Sequence, residues 1–435
     1  MAHHRTGERL AFLLSAIAYA FILAVVFAAT CARAQAFLNP DYTEFYGQAG
    51  GEVNFFFEEP RFPGQERHNA SFFAEPTFYA EWEGGDLRAT FTPFARFDTG
   101  DAERTHFDIR ELKLDYLAGA WEVTVGIDTV FWGKTEAARI VDIINQTDVL
   151  EDLDDEDSLG QPMIRVGRQF DFGTVQAFYL PYFRKRQFPG DGGRLRAGLP
   201  VEESAERIDV KGGRFAPSFA LRYDGVFGGA DIGLSAFHGV SRDPGFDPIF
   251  SQIVVDPLPG QPAPPPQVVG LAPVYDRITQ VGFDGQFTDD ATLYKAEAIF
   301  RTGQTNLNGN ERDYVAASGG IEHTLYQVFD NADLGLIAEY AWDSRGRDAT
   351  TTFNNDVILG ARLALNDEAD TSFLLTSAID HRDEVATFRL EAQRRVADGL
   401  IAEVEGTLFV NADDDPLASD LQDDSFIRFK LTYFW

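Results

Sequence analysis

From about Glu44 onward, apolar residues alternate with polar or small ones over stretches of roughly 9–13 residues. Trp121, Val123, Val125 and Ile127 alternate with Glu122, Thr124, Gly126 and Asp128, and Ile427, Phe429, Leu431 and Tyr433 with Arg428, Lys430 and Thr432. A period of two places each set on one face of a β-strand. A soluble sandwich shares that period, so the connections carry the distinction. Short turns at 83–86, 117–120, 171–173, 225–229, 288–290, 330–332, 366–370 and 397–399 alternate with longer polar segments. The latter lie near 58–69, 99–105, 133–160, 184–213, 241–272, 303–311, 344–354, 380–383 and 411–424. Such asymmetry predicts an all-β, transmembrane antiparallel β-barrel with short periplasmic turns and long extracellular loops. The count gives 18 strands, or 16 if the brief 380–383 connection is not a true outer loop.

Two stretches break the period. Residues 1–34 carry Arg5 and Arg9, then an apolar run from Ala11, then Ala32-Arg33-Ala34. That order predicts a signal peptide cleaved before Gln35, leaving 35–435 as a single barrel. The second is Phe131–Asp148 in the third long loop, where Ala137, Ile140, Val141 and Ile144 share a helix-like spacing. An apolar face there is stranded in water unless it folds inward or packs on other loops.

Composition narrows the class. A mean hydropathy of −0.20 with one apolar run excludes a polytopic helical membrane protein. The 13% aromatic content excludes a disordered chain. A net charge of −32 argues against nucleic acid as a partner. The only cysteine, Cys31, falls in the predicted signal, so no thiol chemistry is expected in the exported chain.

The final strand, Phe426 to Trp435, has apolar residues at Phe429, Leu431, Tyr433 and Trp435. This tail resembles the assembly signal of Gram-negative outer-membrane β-barrels, and with the loop asymmetry the chain resembles the porin-like class. The resemblance implies the outer membrane of a Gram-negative bacterium, with lipid, lipopolysaccharide and the barrel-assembly machinery as partners. It implies small hydrophilic solutes as cargo and leaves a homotrimer open, trimers being common among porins. No cofactor or metal is implied.

In porins the third loop folds into the lumen and narrows it. By that resemblance Lys134, Glu136, Arg139, Asp142, Asn145 and Asp148 are candidate constriction residues. Arg88, Arg96, Arg110, Lys113 and Arg165 would form a facing cationic wall, and separated charges would set a field across the pore. From Asp148 to Asp157 there are seven acids in ten residues. They read as a solvated acidic loop, with hard-cation binding the alternative. The Arg184-Lys185-Arg186 cluster could draw in anions, hold lipopolysaccharide phosphates or have no role. The Pro-rich 256–266 segment reads as a stiff spacer.

The expected function is passive diffusion through a wet lumen, without catalysis. The alternatives are a receptor or adhesion barrel closed by its loops and, behind it, an outer-membrane hydrolase. A hydrolase needs an acid–histidine set at the rim, for which His68, His106 and His381 have nearby acids. No G-x-S-x-G or HExxH motif accompanies them.

Overall fold

Every strand is hydrogen-bonded to the next in sequence, and the last closes on the first. The computed structural model describes residues 39–151, 157–251, 266–329, 331–415 and 417–435, so the predicted signal peptide lies outside the described residues. So do 152–156 of the acidic run and most of the Pro-rich segment.

The strands are β1 (Tyr42–Phe56), β2 (His68–Trp82), β3 (Leu87–Asp98), β4 (His106–Ala118), β5 (Trp121–Asp128), β6 (Gln161–Phe170), β7 (Gly173–Leu180), β8 (Ser218–Phe227) and β9 (Ala230–Val240). There follow β10 (Arg277–Asp289), β11 (Thr292–Thr302), β12 (Tyr314–Phe329), β13 (Ala332–Asp343), β14 (Asn355–Ala364), β15 (Ser372–Asp380), β16 (Val385–Ala397), β17 (Leu400–Val410) and β18 (Phe426–Phe434). The fold is thus a closed antiparallel barrel of 18 strands. The 16-strand alternative fails because 381–384 does connect two full strands, β15 and β16.

Closure has a simple register: Gln48 faces Phe434 and Phe56 faces Phe426. Closing the sheet leaves no edge with unpaired backbone groups. Phe429, Leu431, Tyr433 and Trp435 project outward along this seam, each between a third and a half exposed. Trp435 stacks near Tyr433 and Phe45, and its backbone exchanges two 3.2 Å hydrogen bonds with Gly47. The short turns are tight: Gly228 and Gly229 both take positive φ, as a two-residue hairpin turn requires.

Outward faces carry exposed Phe, Leu, Val, Tyr and Trp, whereas the inward faces of β1–β5 carry charge. At the long-loop end, Gly245–Phe250 and Val268–Tyr275 form a hairpin that pairs with Arg207–Ile208. This small sheet and the fourth loop cap part of the mouth.

Candidate pore constriction

The third loop leaves β5 at Asp128 and rejoins the wall at Gln161 in β6. Its apolar side chains decide where it goes. Val141, Ile143 and Ile144 are almost fully buried, packed with Trp132 against Met163, Phe178, Leu180, Phe237, Ile278 and Ile299 of β6–β11. Ala138 packs on Ala341 and Ile358. These wall residues point inward, since Tyr179, Phe219, Val281, Phe283 and Phe300 between them are exposed outside. The loop therefore lies inside the barrel. Burying each such branched side chain is worth roughly 1.5–3 kcal/mol, which offsets part of the chain entropy lost when the loop is ordered.

It does so without a helix. The segment 129–145 is irregular, with one tight turn closed by Asp142 N donating to Arg139 O at 3.2 Å. This corrects the helix-like reading of Ala137, Ile140, Val141 and Ile144. Two wall carboxylates accept the backbone donors that a helix would have satisfied internally. Glu297 accepts from Lys134 N at 2.5 Å, Thr135 N at 2.8 Å and Val141 N at 3.3 Å. Glu339 accepts from Glu136 N at 2.9 Å. A loop rooted between β5 and β6 thus reaches β11 and β13, across the lumen.

The predicted loop residues take separate jobs. Asp142 accepts from Trp132 N at 2.6 Å and Gly133 N at 3.0 Å, pinning the turn. Asn145 staples the loop base, accepting from Val130 N and donating to Asp128 O and Leu159 O, each at 2.9 Å. Asp148 pairs with Arg110 at 2.6 Å. Glu136 pairs with Lys295 at 3.3 Å and with Arg362. Lys134 lines a cavity toward the short-turn end with Asp224, Asp231 and Asp284. Arg139 lines another above the loop.

The predicted cationic wall does not face the loop as free charge. Arg96 is buried between Glu52 at 3.1 Å and Glu151 of the loop, and Arg104 joins Glu52 at 2.8 Å. Lys113 meets Asp128 at 2.6 Å and Glu111 at 2.7 Å. Arg165 meets Glu122 at 3.2 Å. Arg88 is exposed beside the 83–86 turn, far along the strand from the loop's anchors. Four of these five cations are neutralised where they stand, because buried charges persist only when paired. Arg96 and Arg110 fasten the loop, and Lys113 and Arg165 tie neighbouring strands of the wall, rather than setting a field across a gap.

Beside the loop, open space also lies against β14–β18. A cavity of about 410 Å³ runs between Glu136 and Ala137 of the loop and Ile358, Leu374, Arg389, Glu405 and Phe409 of the wall. A second, of about 300 Å³, continues past Arg362, Glu403, Arg428 and Lys430. Both are lined by Leu374, Glu391 and Glu405, so they meet. The alternation along β16 and β18 already pointed Arg389, Glu391, Arg428 and Lys430 inward. Arg362, Glu403 and Glu405 were readable by the same rule.

The fourth loop roofs this passage. Rooted between β7 and β8, it reaches the loops beside β1–β4 and β18, nearly opposite. Gly190 N donates to Asp101 at 3.0 Å, Gln65 Nε2 to Gly193 O at 2.6 Å, and Arg194 Nε to Asp424 at 2.5 Å. The basic cluster at its root is also turned inward: Arg184 pairs with Asp108 and Lys185 with Glu203 at 2.5 Å. The rim histidines are held locally. His106 Nδ1 lies 3.1 Å from Arg104 O, and His381 lies within hydrogen-bonding distance of Asn355.

No protein-family model and no curated protein matches this sequence. Among solved structures, it is similar to engineered mutants of the porin of Rh. blastica. One is 10% identical with a TM-score of 0.43, another 11% identical with 0.44; each match covers 91% of this chain and 100% of the mutant. A triple mutant named in full as Rhodopseudomonas blastica porin is 11% identical over the same shares, with a TM-score of 0.43. That degree of likeness concerns the barrel architecture alone.

Proposed function

We propose that this barrel sits in the outer membrane of a Gram-negative bacterium and is a passive, non-enzymatic channel for small hydrophilic solutes. The two confluent cavities along β14–β18 carry this reading: the third loop narrows the lumen but leaves one side of it unfilled. The lining suits water and solutes. Arg362, Arg389, Arg428 and Lys430 are interleaved with Glu136, Glu391, Glu403 and Glu405, while Asp356, Asp380 and Asp415 crowd the outer mouth. Selectivity follows local charge at the narrowest places, so those carboxylates give a mild cation preference. The outward aromatic and aliphatic faces meet lipid, and the β18 tail is read during barrel assembly.

A second reading is favoured by the fourth loop: bonded across the mouth, it makes a lumen closed at rest, as in a receptor barrel. Reconstitution in planar bilayers separates the two. The channel reading expects steady single-channel conductance with a modest cation-selective reversal potential. A barrel shown to be folded by heat-modifiable gel mobility, yet electrically silent, overturns it in favour of the closed lumen.

A further inference from the structure

Above the third loop, beside the passage and sharing Ala137, Thr352, Phe353 and Leu417 with its lining, lies a cavity of about 280 Å³ lined by five arginines: Arg139, Arg186, Arg242, Arg301 and Arg345. Its lining carboxylates are three, Asp142, Asp243 and Asp343. In a chain of net charge −32 this is a local excess of positive charge. We propose that this side pocket is a binding site for a small multivalent oxyanion of the phosphate type.

The arginines converge from five segments: the third, fourth and fifth loops, the end of β11 and the connection after β13. Asp243 alone serves two of them, meeting Arg301 at 2.6 Å and Arg186 at 3.7 Å. Arg242 is buried and its recorded hydrogen bonds go to neutral carbonyls: Ile144 O at 2.9 and 3.0 Å and Val240 O at 3.0 Å. Burial with no close carboxylate lowers its guanidinium to about 9, partly offset by the nearby charge of Asp243. A bound anion would relieve that cost.

The amides behind the arginines point the same way. Gln146 accepts from Arg186 Nε at 3.3 Å, and Gln280 from Arg301 Nε at 2.8 Å. Each is fixed by its oxygen, which leaves its Nε2 buried as a donor without a protein acceptor. The excess positive charge lining this enclosure is what a phosphate, with its several acceptor oxygens, satisfies, and the two amides stand just behind it. The hydroxyl-bearing Thr350, Thr351 and Thr352 complete the rim.

The site stands independently of whether the passage conducts, and its test needs no membrane. Calorimetric titration of the detergent-solubilised full-length barrel with inorganic phosphate, at constant ionic strength, should show saturable binding that chloride does not reproduce. Arg301→Gln and Arg139→Gln should each weaken it roughly tenfold or more, one charge-assisted contact being lost. Arg389→Gln, in the other cavity, should leave it unchanged. Arg139 is partly exposed on a loop, so its variant reports even if the Arg301 variant fails to fold. No saturable heat with phosphate, equal heats with chloride, or undiminished binding in Arg139→Gln would overturn the assignment.

Discussion

The two sides of the lumen are built on different chemistry. From β6 to β13 the inner wall carries an apolar band of Met163, Phe178, Leu180, Phe237, Ile278 and Ile299, and the third loop packs its own apolar side chains on that band in a seam, with Glu297 and Glu339 as polar anchors beside it. From β14 round to β5 the inner wall is largely charged, and contacts there are ion pairs: Arg110 with Asp148, Arg428 with Glu405, Lys430 with Glu403. Apolar contact is non-directional and excludes water, so it fills space. Paired charges stay hydrated at their margins, so they leave space. The asymmetry decides where the lumen is blocked and where a passage remains.

The largest test of that contrast places a charge in the seam. Val141→Asp should cost roughly 3–5 kcal/mol, because the carboxylate would be buried in the seam beside Glu297, itself a carboxylate that accepts from the Val141 amide. The barrel's own ladder is untouched, so the loop should release while the wall stays closed. Single-channel conductance should then rise well above that of the parent, with the folded gel mobility retained. Unchanged conductance would mean that polar anchors, not the seam, hold the loop.

A smaller effect compares anchors on the two sides. Glu297→Ala strands the backbone donors of Lys134, Thr135 and Val141, each costing about 1–3 kcal/mol if water cannot reach it. Asp148→Asn keeps a polar group beside Arg110, which still faces Asp108 at 3.2 Å and Glu75 at 4.0 Å, so one weakened contact costing about 1–3 kcal/mol is expected against three lost with Glu297. Urea midpoints of the two variants should fall in that order. Equal losses would show that the charged side holds the loop as firmly as Glu297 does.

The same contrast explains what was legible in the sequence. Strand number and closure could be read because β1–β5 and β15–β18 alternate cleanly, with lipid-type residues outside and charge inside. The inward loop was readable from its stranded apolar residues. The wall it docks on was harder to see, though a trace exists. Ala177-Phe178-Tyr179-Leu180, Ala298-Ile299-Phe300 and Tyr314-Val315-Ala316-Ala317 run apolar without alternation, as strands covered on both faces do. Those runs marked the docking arc. Glu111 beside Lys113 and Asp108 beside Arg110 were readable two residues away on the same strand, but the partners Glu151, Asp148, Asp128 and Glu122 were invisible, lying 15 to 55 residues away along the chain. Residue type gave candidate charges; only register showed that they cancel.

The smallest expected effect concerns pH, to which the apolar seam is indifferent and the fourth loop is not. Burial raises the Asp101 and Asp424 carboxyls above their ordinary value, the hydrogen bonds from Gly190 and from Arg194 with Leu195 offsetting only part of this. A raised carboxyl means that its ionised form is the one the docked loop disfavours. That penalty is fully present at neutral pH and is relieved as pH falls through the raised value toward the ordinary one. Acidification over this window should therefore tighten the loop across the mouth rather than release it. Hydrogen exchange at the Gly190 and Leu195 amides, corrected for intrinsic rates, should slow by roughly two- to tenfold, while protection at Val141 in the seam stays constant. Faster exchange at Leu195 on acidification would mean that the Arg194–Asp424 pair outweighs burial, and that the roof opens with acid.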